Sequence, residues 1–182
     1  MSIKTDHILN ALHVLSWIVF TGLCIEAGGF ITNTVATLLL HPEGAAKFWK
    51  QADLDAVYHY NQSRYVTITT LIIIVAVLKA IMFYVIIKVF LGRKFNLSKP
   101  FTDAAKRFVL SLGYLSLGIG FFSLWGANLA DGLSQEGVPV PDLRRLKLAG
   151  ADVWLFMGVV LLTVAFIFKK GVEIQNENDL TV

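Results

Sequence analysis

Apolar positions along this chain fall into four long blocks, and the polar residues gather between them. A helix rises about 1.5 Å per residue, so a hydrocarbon layer about 30 Å thick takes roughly 20 mostly apolar residues to cross. Ile8 to Leu40, Val66 to Leu91 and Phe108 to Leu129 each meet that test. Val153 to Phe168 meets it once Leu148 to Ala151 are added, with Asp152 near the interface, which gives a span over 148–168. The first block is longer than a bilayer needs. It is expected to tilt or to project, and to end at His41-Pro42, where proline disfavours further helix. Only Lys4 precedes it as a cation, no small-residue cleavage pattern follows a short core, and the segment stays apolar far beyond a signal peptide, so it reads as a retained helix. The predicted fold is all-α: one integral membrane bundle of four transmembrane helices over residues 1–182.

The segments between the spans are short. His41 to Tyr65 is rich in Tyr, His and acids and is expected to hold a short amphipathic helix. Ala130 to Asp152, with Gly132, Gly137, Pro139 and Pro141, is expected to be largely turns. The acidic tail, Glu173 to Val182, is expected to begin as helix and then fray. No repeat is present and no loop is large enough to form a domain.

Composition agrees with this pattern. Hydrophobic residues make up 55% of the chain and charged ones only 16%, against about a quarter in soluble domains, and mean hydropathy is +0.64. The net charge of +3 does not form a basic patch, because the cations sit at the ends of apolar blocks, so direct nucleic-acid binding is not expected. Lys4, Lys88, Arg93, Lys94, Lys99, Lys106, Arg107, Lys169 and Lys170 share the side that holds both termini. Lys47, Lys50, Arg64, Arg144, Arg145 and Lys147 share the other, and Lys79 lies inside a span. This excess predicts that both termini and the middle loop are cytoplasmic in a multi-pass cell-membrane protein. Trp49, Trp125 and Trp154 fall near the predicted outer ends, as an interfacial aromatic belt would place them. The single cysteine, Cys24, excludes an intramolecular disulfide and a cysteine metal motif.

Within the spans, small residues Gly113, Ser116, Gly120, Ser123 and Ala127 recur at steps of 3 and 4 along one face of the third helix. Such a seam lets a neighbouring backbone approach closely, and packing is the preferred reading over a lipid or substrate cleft. The first helix is polar for a span. Asn10, His13, Trp17, Thr21, Cys24 and Gly28 follow one face and Gly22, Glu26, Gly29 and Asn33 another, so it is expected to be largely surrounded by protein or water. A charge at the bilayer centre costs at least about 2.5 to 3.5 kcal/mol, which makes Glu26 and Lys79 candidates for a ligand or ion path, together with His13 and Asn33. With the cytoplasmic boundary near Ile8, Glu26 lies about 27 Å deep and Lys79 about 10 Å, so the two miss each other unless the long first helix slides. The other readings are a satisfied structural carboxylate at Glu26 and snorkelling of Lys79 towards cytoplasmic headgroups.

Other chemistry is not supported. Bis-His haem needs histidines on facing helices, whereas His7 and His13 share one helix, so no haem and no other cofactor is expected. Asp53, Asp55 and His59, with His41 and Glu43 nearby, have metal-ligand chemistry at helical spacing, but a solvated acidic loop is the preferred reading and no metal is assigned. No Ser-His-Asp order, glycine-rich phosphate loop or zinc-protease motif is present, so no catalytic residue is assigned and an enzyme is not expected.

Two segments carry a likeness. Asn96-Leu97-Ser98-Lys99-Pro100-Phe101-Thr102, running into Ala105-Lys106-Arg107 and Gly113-Tyr114, and the ending Phe168-Lys169-Lys170-Gly171-Val172-Glu173 to Asn178-Asp179-Leu180-Thr181-Val182 resemble the bacterial membrane family called domain of unknown function 2975. Helix count and length fit along nearly the whole chain. The resemblance implies a four-helix integral membrane protein, often a genomic neighbour of small helix-turn-helix regulators, with no established active site to carry over. In the matching segments, Pro100 is suited to opening the third helix, Thr102 or Asp103 to capping it, and Lys106 and Arg107 to anchoring it. The basic middle loop is suited to holding the acidic tail at Glu173, Glu177 and Asp179 in a salt-sensitive contact, or that face to docking a cytoplasmic regulator. The leading expectation is a small regulatory or sensing protein that binds a membrane or envelope ligand through its first helix and acts with a cytoplasmic partner. The alternatives are a transporter or channel subunit working as a homo-oligomer, and a structural membrane protein.

Overall fold

The computed structural model describes residues 3–40, 42–47, 52–91 and 102–180. Among them the chain is helical and has no strand. Helix α1 spans Ile3–Leu39, a short 3-10 turn Pro42–Lys47, α2 Asp55–Tyr60, α3 Gln62–Leu91, α4 Asp103–Gln135 and α5 Ala151–Leu180. Helices α1, α3, α4 and α5 are each long and apolar enough to cross a membrane. His41, Trp49, Pro100 and the middle loop over 92–101 lie outside the described residues.

Helix boundaries follow local chemistry. Asn61 separates α2 from α3: its Oδ1 accepts from the backbone N–H of Ser63 at 2.9 Å and of Arg64 at 3.2 Å, which satisfies donors at the start of α3. Thr102, not Asp103, caps α4, its Oγ1 accepting from the Ala105 N–H at 3.1 Å. Asp103 instead pairs with Lys106 at 2.6 Å. At the other end α4 runs to Gln135, beyond the expected Leu129, and stops where Gly137 takes φ 82°. There Val138 N–H reaches the Leu133 carbonyl and Gly137 N–H that of Ser134, both at 3.0 Å, the paired bonds of a Schellman stop.

The helices alternate in direction, so both termini lie at one end, the termini end, and the 40–61 and 136–150 segments at the other, the loop end. Helix α1 packs on α3, α3 on α4, and α4 most extensively on α5. Helix α3 is the central element: 39% of its apolar window is buried, against 6% for α1. The core is concentrated towards the loop end, where Phe30, Leu54, Val57, Tyr65, Ile68, Leu133, Leu146 and Leu148 are all essentially inaccessible. The two loop-end segments therefore pack onto the bundle and do not hang from it.

Within the single chain α1 is the least buried of the four long helices, its covered positions being Ser16, Ala27, Phe30, Thr34 and Thr37 on the side towards α3 and the 3-10 turn. Several of its polar groups are satisfied inside the helix. Thr21 and Thr32 donate to the carbonyls of Trp17 and Gly28 at 2.9 and 2.7 Å, and Trp17 Nε1 donates to His13 Nε2 at 3.0 Å. A helix whose side chains bond its own backbone needs no neighbour for them.

The seam on α4 is filled. A Cβ on Gly113 would stand 2.9 Å from Leu162, on Gly120 2.7 Å from Leu155, on Gly126 2.7 Å from Leu148, and, from the opposite side, on Gly158 2.6 Å from Leu117. Leucines of α5 and its approach enter notches on α4 at intervals of about two turns, which is small-residue packing and leaves no cleft along that face. Ser116 and Ser123 are buried beside the seam, and their Oγ atoms make no hydrogen bond among the described residues.

Candidate functional site

The register between α1 and α3 decides what Glu26 meets. His13 stacks on Phe90, with ring centroids 5.7 Å apart, and Phe20 lies 6.2 Å from Tyr84. Continued by six residues, that antiparallel register sets Glu26 level with Leu78, beside Lys79. The expected depth mismatch is therefore corrected. It set the Ile8 level about 10 Å from Lys79, whereas the aromatic contacts place His13 against Phe90 near the end of α3, and α1 slides along α3 so that its first residues overhang.

Glu26 and Lys79 are brought to one place without pairing directly. The Glu26 Oε1 lies 3.6 Å from Lys147 Nζ, in the segment before α5. Lys79 Nζ donates to the backbone carbonyl of the same Lys147 at 3.2 Å and stands 5.8 Å from the centre of the Trp154 ring. The charges of Glu26 and Lys147 both act on Lys79. Lys79 thus turns towards the loop end, not towards the termini end, because the carbonyl and ring that accept it are there. About two turns beyond Glu26, Asn33 Nδ2 reaches the Lys47 carbonyl at 3.5 Å, and Thr37 Oγ1 reaches Asn33 Oδ1 at 3.4 Å. Asn33 joins α1 to the 3-10 turn, and His13 lies far from this cluster at the Phe90 end.

Lys147 was missed in the sequence because its role depends on backbone shape. Its φ is 61°, the left-handed region that residues with a Cβ avoid at a cost of about 1–2 kcal/mol. Leu148 N–H bonds the Leu143 carbonyl at 3.0 Å and Lys147 N–H that of Arg144 at 3.2 Å, the same Schellman pattern that ends α4. Gly137 holds the left-handed position in the first stop and a lysine holds it in the second. This one left-handed residue carries two contacts of the cluster, its ammonium meeting Glu26 and its carbonyl meeting Lys79.

A second network crosses the loop end, beyond the apolar blocks that begin at Val66 and end at Leu129. Glu136 accepts from Arg64 at 2.8 Å on both carboxylate oxygens and from the Tyr60 hydroxyl at 2.7 Å. The Tyr60 hydroxyl, then Arg64, holds the Glu136 carboxyl below the usual carboxylate range, and the same carboxylate raises the Tyr60 phenol. A depressed carboxylate adds stability above its ordinary titration range and loses it as pH falls through the lowered value; a raised phenol adds stability that is lost as pH rises through its folded value. Amide protection over 133–150, taken relative to the intrinsic exchange rate at each pH, is therefore expected to be greatest between these ranges and to fall on acidification. In Glu136→Gln the acid limb should vanish, and an unchanged acid limb in that variant would refute the assignment.

At the termini end, Glu173 pairs with Lys170 at 2.7 Å, and Lys106 at the start of α4 acts on it electrostatically. The middle loop expected to hold the tail lies outside the described residues. In the loop-end segment, Asp55 and His59 are 3.4 Å apart, while Asp53 Oδ1 accepts from the Asp55 N–H, so it is used in starting α2. No set of three metal-ligating side chains converges among the described residues.

No curated protein and no solved structure matches the chain. A family match covers residues 40–182, so it includes Lys79, Lys147, Trp154, Tyr60, Arg64 and Glu136 but leaves out nearly all of α1 with Glu26, in place of the likeness along nearly the whole length that helix count implied. With its four membrane-length helices and both networks at the loop end, the chain belongs to the DUF2975 family, whose members are described as proteins of unknown function.

Proposed function

We propose that this chain is a non-enzymatic sensing or regulatory protein of the cell membrane, with both termini in the cytoplasm. Helix α1 and the Glu26 cluster receive a ligand from the membrane or the envelope side, and the termini end engages a cytoplasmic partner. A small helix-turn-helix regulator is the kind of partner the family likeness suggests. The observation that carries the reading is the Glu26–Lys147 contact, a charged link between the peripheral α1 and the α4–α5 hairpin. Because α1 makes no extended packing with α4 or α5, a ligand that competes for either charge changes how α1 is held. The hairpin, locked by its glycine seam, runs from that contact to Asp103, Lys106 and Glu173 at the opposite end. Deleting residues 173–182 is expected to remove a specific co-purifying protein while helical content is retained. Absence of a partner from both the full and the shortened chain would overturn the docking half of the proposal.

A second reading, conduction or transport by a homo-oligomer, draws on the outward side of α1, where Thr21, Gly28 and Thr32 are exposed and Gly28 has open space beside it. A proteoliposome flux abolished by Glu26→Gln would favour it.

A further inference from the structure

Among the described residues the Glu26 cluster carries a surplus cation. It brings two ammonium groups, Lys79 and Lys147, to one carboxylate. Asp152 does not balance them, since it is exposed and lies two residues from Trp154, on another side of α5. The surplus cation stands at a defined depth. Gly126 of α4 receives Leu148, which places Lys147 near the loop-end limit of the apolar block Phe108 to Leu129, the level at which a bilayer matched to that block passes from hydrocarbon to headgroups. Lys79 starts deeper on α3 and reaches up to that level, with its ammonium over the Trp154 ring. The site also opens sideways. Helices α1 and α5 make no extended packing with each other, and Lys147 is 49% exposed and Glu26 23%.

We infer that this lateral opening between α1 and the start of α5 binds the phosphate of an anionic phospholipid, with Lys79 and Lys147 as its cationic partners and the acyl chains lying along the exposed apolar side of α1. An anionic phospholipid such as phosphatidylglycerol carries a phosphodiester of charge −1 with no headgroup cation to offset it, unlike a zwitterionic lipid, so its net charge neutralises the surplus at the edge of hydrocarbon. Glu26 sets selectivity: it already occupies part of the positive charge, so a doubly charged phosphate is disfavoured against a singly charged one. The inference deepens the sensing proposal by naming its ligand class, and it rests on that reading only for its regulatory meaning.

The test uses the full chain in nanodiscs of phosphatidylcholine with or without phosphatidylglycerol, read by native mass spectrometry of retained lipid and by thermal unfolding. Phosphatidylglycerol is expected to be retained in preference to phosphatidylcholine. Its retention should fall about fivefold in Lys79→Met and again in Lys147→Gly, in line with the contribution of one basic residue at a membrane surface, and should be unchanged in Lys170→Met at the opposite end. Lys147→Gly keeps the measurement decisive, because glycine fits the left-handed position and preserves the turn. Equal retention of both lipids, or an equal fall in Lys170→Met, overturns the site. Protection by inorganic phosphate in pure phosphatidylcholine that equals the effect of phosphatidylglycerol assigns the pocket to a soluble anion and overturns the lipid as its source. The tail-deletion experiment reports separately: selective lipid retention in a chain with no partner keeps this site and removes the sensing role, whereas a partner without lipid selectivity does the reverse.

Discussion

Glu26→Gln is expected to destabilise the protein by about 1–3 kcal/mol, and Lys79→Met in the same chain is expected to recover most of that loss. The carboxylate lies 3.6 Å from Lys147 and compensates Lys79, which rises from the middle of α3. Removing one member of a buried pair costs about 3–5 kcal/mol, whereas an exposed pair is worth little. With Lys147 half exposed and Glu26 mostly buried, this site falls between those limits. Once the carboxylate is neutral, the cation held near hydrocarbon carries the larger share of the penalty, since a charge at the centre of a span costs about 2.5–3.5 kcal/mol. Converting Lys79 to methionine keeps the stem volume and removes that charge, so the double variant should approach the single Lys79→Met in stability. Denaturation in detergent micelles across the full cycle measures the coupling. A coupling energy within error of zero would show that Glu26 and Lys79 are independent, and with it the charged cluster would cease to be a unit.

Gly120→Ala is expected to cost about 1–3 kcal/mol, within the range for overpacking a tight interior, and to loosen α4 from α5. The added methyl would stand 2.7 Å from the Leu155 side chain and 2.9 Å from its backbone nitrogen. A leucine side chain can rotate away, but a backbone nitrogen moves only with its helix, so relief requires α5 to shift. Gly113→Ala should cost less: its nearest contact at 2.9 Å is the tip of Leu162, and the backbone nitrogen is 3.3 Å away. Gly22→Ala on α1 meets nothing within 4 Å and removes a helix-interior glycine, so it should be neutral or stabilising by about 0.5–1 kcal/mol. Thermal unfolding of the three variants in micelles gives the ranking. If Gly120→Ala and Gly22→Ala behave alike, the α4–α5 interface is looser than the contacts imply.

Particular residues show where sequence reading succeeds. Thr102 opens a helix because its hydroxyl is one bond from a backbone donor that would otherwise be unmet, a purely local matter. The Gly113 and Gly120 spacing implied a packing face for a similar reason: helical period alone puts those residues in line, and only small ones let a partner in. The four spans were legible from length and apolarity. What stayed hidden were the partners across elements. Nothing local ties Arg64 to Glu136, which are brought to 2.8 Å only because α4 outruns its apolar block and returns through the Gly137 stop. Nothing marks Lys147 as left-handed, since glycine usually signals that conformation. The depth of Glu26 could not be read either, because apolar length sets whether a helix spans but leaves its slide along a neighbour to side-chain packing.

The sequence by itself therefore determined the number of membrane-length helices, the start of α4 at Thr102 or Asp103 and the small-residue face of α4, each of which depends on residues within a few positions of one another. Only the tertiary structure decided that α1 slides along α3 until His13 meets Phe90, that Lys79 turns towards the loop end, and that Glu26 finds Lys147. The physical reason is one of range. Hydrophobicity and hydrogen-bonding propensity act along the chain and are indifferent to the rotation and slide of one helix on another, whereas van der Waals fit and charge compensation between helices fix both.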